Sequence, residues 1–203
     1  MLWDAVQHNG NRTDYRYAFF NWDYANSIFK PKYDIKPVGD IQAMFQSFNT
    51  YISLPSVCEK QGIVMDFSKV TRFYGFLWES SIYRVGTIDC SSATTLEYAF
   101  FNAGSLTTID KLILHEGITS YSYTFTNASN LQNLTIEGVI AGNYFGFSTA
   151  PKVSHDSLMS VINHLKDYSG TGTTKTITFG ATNLAKLTDT EKAIATQKGW
   201  TIA

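Results

Sequence analysis

The pentapeptide Tyr-Ala-Phe-Phe-Asn occurs twice in this chain, at residues 17–21 and 98–102, and looser copies of it recur along most of the sequence. The central apolar positions of the copies are Phe19, Phe45, Phe76 or Leu77, Phe100, Phe125 and Phe147. They lie about 22 to 32 residues apart, an interval typical of chains that stack similar structural units. One such unit cannot bury its apolar face alone, so neighbouring units have to share a core. The interval therefore predicts a solenoid.

The units also match one another outside the aromatic position. A shift of 22 residues places residues 112–114 (Leu-Ile-Leu) on residues 134–136 (Leu-Thr-Ile), and it places Phe125 on Phe147. The alternation of inward and outward side chains at residues 112–114 has the two-residue period of a β-strand. We expect each unit to contain a short strand, a turn and a returning segment. The central Phe side chains should then stack as a ladder inside the core.

The pattern changes after Phe147. Ser154 can cap a helix with apolar residues at helical spacing, and residues 175–179 alternate like a strand. Residues 188–191 (Thr-Asp-Thr-Glu) match the capping box that opens a second helix. The chain therefore divides into residues 1–153, with about six irregular repeat units and an N-terminal cap within residues 1–14, and residues 154–203, a helix–strand–helix–strand cap.

Several segments carry a resemblance to known proteins. Residues 66–73 (Asp-Phe-Ser-Lys-Val-Thr-Arg-Phe) and 89–96 (Asp-Cys-Ser-Ser-Ala-Thr-Thr-Leu), each followed by aromatic residues, resemble the BspA-like leucine-rich repeat family. Residues 155–163 and 182–201, together with the opening 3–15, resemble proteins of phages and prophages of gut Firmicutes. The resemblance implies an α/β leucine-rich-repeat solenoid with short stacked strands and an α/β C-terminal cap. It also implies a phage-encoded domain that is tail-associated or recognises the host.

The charge balance argues against a polyanionic partner. The chain has 16 basic and 17 acidic residues, a formal net charge of −1 and no run of Lys or Arg. Nucleic-acid-binding domains usually carry a basic stripe, so we expect no nucleic acid partner. No apolar run approaches the roughly 18 residues of a membrane-spanning helix, and the first residues lack the features of a signal peptide. We expect no membrane insertion and synthesis in the bacterial cytoplasm, with virion association as the resemblance implies.

Motifs for metal, cofactor or covalent chemistry are missing from the sequence. Cys58 and Cys90 are far apart and have no metal-ligand spacing, and the four histidines form no HExxH or HxH pattern. No GxSxG nucleophile motif occurs. We therefore expect no cofactor, no metal and no enzymatic activity.

The outward-facing residues of the predicted strands form the candidate binding face. In a solenoid these residues build one extended surface. The face is polar and mildly acidic, which suits a host protein or a cell-surface glycan better than a polyanion. Its members are Asp66, Ser68, Asp89, Ser91, Lys111, Ile113, His115, Asn133, Thr135 and Glu137.

Two other functions stay open from the sequence. Asp66 and Asp89 occupy equivalent repeat positions and, at adjacent-strand spacing, would lie about 5 Å apart, as the carboxylates of a retaining glycosidase do. The chain could then be a polysaccharide-degrading solenoid enzyme, although an Asp at such a position more simply stabilises a turn. The third interpretation is an intracellular inhibitor of a host protein.

Overall fold

The computed structural model describes residues 15–21, 29, 31 and 33–203. The N-terminal cap predicted within residues 1–14 lies outside these residues, as does nearly all of the segment 3–15 that contributes to the phage resemblance. The described strands are β1 (Gly39–Asp40), β2 (Val70–Arg72), β3 (Arg84–Asp89), β4 (Thr108–Leu114), β5 (Asn133–Gly138), β6 (Lys175–Ile177) and β7 (Trp200–Ile202). The described helices are α1 (Leu54–Lys60), α2 (His155–Asn163), α3 (Ala181–Leu184) and α4 (Asp189–Gln197).

The strands form three small parallel sheets: β1 pairs with β2, β3–β4–β5 form a three-stranded sheet, and β6 pairs with β7. The predicted leucine-rich-repeat solenoid is therefore wrong, and the structure is a small mixed α/β domain. A leucine-rich-repeat solenoid has one sheet that continues from unit to unit, whereas here the strand pairing breaks between β2 and β3. Arg72 pairs with Thr95, and Thr95 pairs with Ser120, only through isolated β-bridges.

An insertion accounts for one of these breaks. The longest interval between central apolar positions, from Phe45 to Leu77, contains helix α1. Pro55 of α1 packs against β3 at Gly86, where an added Cβ would lie 3.2 Å from the Pro55 ring. The residues just before α1 pair with the start of β3: Ser53 bridges Arg84, and the Tyr83 N–H donates to the Ile52 carbonyl oxygen at 3.0 Å. The insertion therefore takes the edge of β3 at this point, and β2 does not extend the central sheet.

Turns, more than strands, connect successive repeats. We call the stacked turns at residues 17–21, 43–47, 75–79, 98–102 and 123–127 the turn ladder. The backbone N–H groups of Tyr98 and Phe100 donate to the carbonyl oxygens of Ser122 and Thr124, at 3.1 and 3.0 Å. The first, third and fifth residues of each turn make the same bonds to the following turn, along the whole ladder. Each turn is thus held at a fixed register on the next.

The third position of every turn points into the core. Its occupants Phe19, Phe45, Leu77, Phe100 and Phe125 are all buried. Phe19 stacks on Phe45 with centroids 4.7 Å apart, and Phe100 stacks on Phe125 at 5.2 Å with planes 6° apart. Leu77 separates the two pairs, so the predicted ladder of stacked Phe side chains forms in two parts rather than as one column.

The C-terminal residues cover the free edge of the central sheet. The N–H groups of Leu134 and Ile136 in β5 donate to the hydroxyls of Ser157 and Ser160 in α2, at 2.8 and 2.9 Å. Ser154 caps α2 by accepting the Ser157 N–H, which confirms the predicted helix start. The predicted capping box at the start of α4 is also confirmed, while α3 is an element that the sequence did not predict. Helix α2 therefore satisfies edge groups that would otherwise be open to another strand.

Candidate functional site

Each turn of the ladder has left-handed backbone at its first and fifth positions. Only glycine adopts this conformation without strain, and Asn tolerates it better than other residues. The fifth positions are Asn21, Ser47, Glu79, Asn102 and Asn127, with φ between 49° and 59°. The first positions are Tyr17, Ala43, Gly75, Tyr98 and Tyr123, with φ between 54° and 62°. The fifth position thus follows the conformational preference in three turns, while the first position violates it with Tyr in three turns.

A tyrosine at a left-handed position is costly. The conformation disfavours a residue with a Cβ by about 1–2 kcal/mol, and such strain collects at sites where it serves a function. Gly75 occupies this position in one turn, which shows that the turn itself does not need a side chain there. Tyr144, which follows the ladder, repeats the feature with φ 70°. The recurring tyrosines therefore need an explanation beyond the stability of the turn.

These tyrosines contribute to a partly exposed cluster of rings. We call Tyr74, Trp78, Tyr98, Phe101 and Tyr123 the aromatic column. Tyr98 stacks on Trp78 with centroids 5.4 Å apart and planes 13° apart, and on Tyr123 at 4.9 Å and 18°. Tyr74 lies 5.3 Å from Tyr98, and Phe101 packs its ring at steep angles against Trp78 and Tyr98.

Trp78 packs over Gly75 at the end of the column opposite Tyr123. A Cβ on Gly75 would lie 3.5 Å from Cε3 of Trp78, so the indole ring lies over the glycine. In this turn Trp78 therefore occupies the space that the first-position tyrosine fills in the next two turns. The column therefore continues across three turns, with Trp78 at the fourth position of one turn and Tyr98 and Tyr123 at the first positions of the next two.

The column is open to solvent at one end and bordered by polar groups. Tyr123, at this end of the column, is 55% exposed, and Tyr144, which lies outside the column, is 72% exposed. The guanidinium carbon of Arg72 lies 4.7 Å from the centre of the Tyr74 ring, a cation–π contact. The pKa of Tyr98 is raised above its ordinary value, chiefly by desolvation and then by neighbouring Tyr123 and Tyr74. Tyr98 is therefore a neutral phenol at physiological pH and can donate a hydrogen bond to a partner.

A row of side chains at the fifth positions of the turns runs along the same ladder. Asn127 Nδ2 donates to Asn102 Oδ1 at 2.9 Å, and Asn102 Nδ2 donates to Glu79 Oε1 at 3.4 Å. We call these three residues the amide row. Each Asn amide has two N–H donors and a carbonyl with two lone pairs, so both retain donor and acceptor capacity. The rings and this row together form a surface with apolar and hydrogen-bonding parts.

The outward strand residues predicted from the sequence, which we call the strand face, do not lie on one sheet. Asp66 and Ser68 precede β2, which belongs to the β1–β2 sheet, whereas the other eight lie on or just after the strands of the central sheet. Ile113 pairs with Asp89 on one side and with Glu137 on the other. The structure therefore brings together Asp89, Ser91, Lys111, Ile113, His115, Asn133, Thr135 and Glu137, and places Asp66 and Ser68 on a neighbouring turn.

Several of the strand-face side chains already have partners within the chain. Lys111 Nζ lies 2.8 Å from Glu137 Oε2. His115 Nδ1 accepts the Gly117 N–H at 3.2 Å, and Nε2 lies 2.8 Å from the Ala93 carbonyl oxygen. In the neutral ring, Nε2 must then carry the proton and donate it. Asn133 and Thr135 remain exposed, so the groups already committed are the charged and imidazole side chains of the strand face.

The two candidate carboxylates stabilise turns. Asp66 Oδ1 accepts the Ser68 N–H and Asp89 Oδ1 accepts the Ser91 N–H, each at 2.9 Å. Hydrogen bonds from the Ser68 side chain and backbone lower the pKa of Asp66. A glycosidase general acid needs the opposite shift, because it must be protonated at the working pH. Within the described residues, no group of three or more His, Cys, Asp or Glu side chains is placed to hold a metal ion.

The candidate site residues predicted from the sequence did not include the tyrosines of the column. A signal for them was present, because Tyr-x-x-x-Asn occurs at residues 17–21, 98–102 and 123–127. The repeated spacing places Tyr and Asn at the two left-handed positions of these three turns. Only the backbone dihedral angles show that the Asn fits its position and the Tyr does not.

No protein-family model, curated protein or solved structure matches this chain. No helix in the described part of the chain has both the length and the apolar character that crossing a membrane requires.

Proposed function

We propose that this domain is a non-enzymatic recognition module of a phage or prophage protein, and that it binds a host macromolecule through the aromatic column. The observation that carries the proposal is the left-handed backbone at Tyr98 and Tyr123, whose rings stack at the surface. The motif resemblance supports the assignment to a phage or prophage protein. A host protein and a cell-surface glycan are the two classes of partner considered.

The column has the composition of a binding hot spot. Tyr and Trp provide large, rigid contact areas and lose little conformational entropy on binding, since few torsions have to be fixed. Here stacking further restricts Trp78, Tyr98 and Tyr123 before any partner arrives. A preorganised surface avoids part of the entropic cost of association. The strain at the first positions is then the cost of holding the rings in place.

The outward strand face supports binding less well. Lys111 and Glu137 pair with each other, and His115 bonds to the Gly117 N–H and to the Ala93 carbonyl oxygen. A partner would have to compete with these internal contacts before it gained new ones. An intracellular inhibitor could use the same aromatic column, whereas the lowered pKa of Asp66 gives no support to a glycosidase.

The test compares the two surfaces with matched variants. The column variant is Tyr98→Asn with Tyr123→Asn, because Asn is the residue that these turns already use at left-handed positions. The strand-face variant is Lys111→Glu with Glu137→Lys, which reverses the ion pair but keeps both charges. Tyr51→Asn removes an exposed tyrosine that stacks on Tyr83, outside the column.

Labelled domain is titrated onto immobilised total extracts from a panel of gut Firmicutes strains. We expect the column variant to bind at least about tenfold more weakly than the wild type, the usual effect of removing hot-spot side chains. The strand-face and Tyr51 variants should bind as the wild type does. Circular dichroism and thermal unfolding check that all variants are folded. Loss of binding in the strand-face variant alone would move the site to the central sheet and refute the proposal.

A further inference from the structure

We infer that the aromatic column takes a polypeptide rather than a glycan. The inference rests on the proposed function and specifies the chemistry of its partner. It follows from which parts of the rings are still available for contact.

The ring faces in the column are largely used by the column itself. Tyr98 is covered on one face by Trp78 and on the other by Tyr123. Phe101 packs against Trp78 at 5.0 Å and 69°, and against Tyr98 at 5.3 Å and 65°. Since Tyr98 is stacked on both sides, a partner meets this ring through its edge and its phenol hydroxyl, and the outer face of Tyr123 lies at the open end of the stack.

Edges and faces attract different chemical groups. The face of an aromatic ring is electron-rich and its edge carries partial positive charge. A sugar ring presents C–H groups, whose hydrogens are also partially positive, so a sugar stacks on a ring face and gains little from an edge. Carbonyl oxygens, carboxylates and the faces of other aromatic rings are complementary to an edge. A polypeptide presents a carbonyl oxygen at every residue and can add acidic or aromatic side chains.

The amide row can bond to such a partner. Asn102 and Asn127 each keep an N–H donor and acceptor lone pairs after their bonds within the row. A peptide group also carries one donor and one acceptor, so these side chains can bond to the partner's backbone. The phenol of Tyr98 supplies a further donor.

Tyr144 allows a test of the alternative partner, a glycan that binds by stacking on an aromatic ring. Its ring is 72% exposed and stands outside the column, so most of its surface is open to solvent. If a glycan were bound by ring stacking, Tyr144 would be the better platform. If a polypeptide is bound by ring edges and hydroxyls, the stacked rings of Tyr98 and Tyr123 should contribute more to binding than Tyr144 does.

The experiment divides each strain extract into three portions before coating: untreated, digested with proteinase K, and oxidised with periodate, which destroys sugar rings. Labelled wild-type domain, the Tyr98→Asn/Tyr123→Asn variant and a Tyr144→Asn variant are titrated onto all three. We expect protease digestion to abolish wild-type binding and periodate to leave it unchanged. The column variant should bind at least tenfold more weakly than the wild type to the untreated extract, and the Tyr144 variant less than threefold more weakly.

The outcomes separate the inference from the proposed function. Binding that survives protease, is lost on periodate oxidation and still depends on Tyr98 and Tyr123 overturns the polypeptide partner but keeps recognition by the column. If both treatments reduce binding, as for a glycoprotein, a larger loss in the Tyr144 variant overturns the inference and a larger loss in the column variant supports it. Binding that does not depend on the column, or no binding to any extract, overturns the proposed function and the inference together.

Discussion

The hydroxyl of Tyr121 gives a sharp test of the packing. The side chain is fully buried, and its Oη finds no hydrogen-bond partner in the described part of the chain. The ring packs edge-on against Phe145 at 5.2 Å, and burial raises the pKa of the phenol. Tyr168 offers a matched case, because its hydroxyl donates to the Ala141 carbonyl oxygen at 2.8 Å. Removing the oxygen from each residue should therefore have opposite effects.

The magnitudes follow from what each hydroxyl loses on folding. An unpaired buried polar group costs about 1–3 kcal/mol, because its hydration is not replaced. Tyr121→Phe removes that cost and leaves the ring in place, so we expect the free energy of unfolding to rise by about 1–2 kcal/mol. Tyr168→Phe removes a made hydrogen bond, so the free energy of unfolding should fall by about 0.5–1.5 kcal/mol.

Urea unfolding of the wild type and both variants measures the effect. An unchanged dependence of the free energy of unfolding on urea concentration would show that only the stability has changed. In thermal unfolding, a chain of this size should shift its midpoint by about 2–4 °C per kcal/mol. Destabilisation of Tyr121→Phe by about 1 kcal/mol or more would refute the reasoning. It would mean that the Tyr121 hydroxyl has a partner, such as an internal water molecule.

Two further predictions test the core and the C-terminal helices. Phe100→Ala and Phe125→Ala should each lower the free energy of unfolding by about 3–5 kcal/mol, since each empties a buried aromatic site; unchanged midpoints would contradict the stacked core. Hydrogen bonds from Glu191 and then Asp156 raise the pKa of His155 above 6.5, so its contribution to stability is complete below pH 6.5 and is lost as the pH rises through the raised pKa. Glu191→Gln should bring the pKa of His155 down towards 6.5 in an NMR titration, and an unchanged pKa would exclude Glu191 as the main cause.

Local signals in the sequence predicted local structure correctly. Ser154 and the Thr188–Glu191 capping box mark the starts of two helices, because side-chain caps depend on a few neighbouring residues. The offset between residues 112–114 and 134–136 follows the pairing of Leu112 with Ile136 to within two residues. The caps depend on short-range chemistry that a sequence displays directly, and the strand offset follows from the repeated apolar pattern.

The division into three sheets depends on contacts that the sequence does not display. The interval between Phe45 and Leu77 is long, but nothing in it shows that α1 will pack against Gly86 of β3. The site was missed for a related reason. Tyr is a common strand residue, so its placement at a left-handed turn position runs against its preference. The repeated Tyr-x-x-x-Asn spacing is visible in the sequence, but its meaning comes from the φ angles.

The edge of β5 shows how helix α2 contributes to the rest of the fold. Leu134 is buried, and its N–H donates to the buried hydroxyl of Ser157 at 2.8 Å. The same hydroxyl donates to the Gln132 carbonyl oxygen at 3.2 Å. Ile136 has the equivalent bond to Ser160, but Ser160 is only half-buried. Both serine hydroxyls therefore accept a backbone N–H of β5, Ser157 in a buried position and Ser160 in a partly solvated one.

Ser157→Ala should then cost more than Ser160→Ala. In the first variant the Leu134 N–H is left unpaired in the core, and the free energy of unfolding should fall by about 1–3 kcal/mol. In the second variant water can replace the hydroxyl, so we expect a loss of about 0.5 kcal/mol. Urea unfolding measures both losses, and amide hydrogen exchange should accelerate at Leu134 in the first variant. Equal losses in the two variants would show that the edge of β5 is held by the apolar packing of α2 and not by its serine hydroxyls.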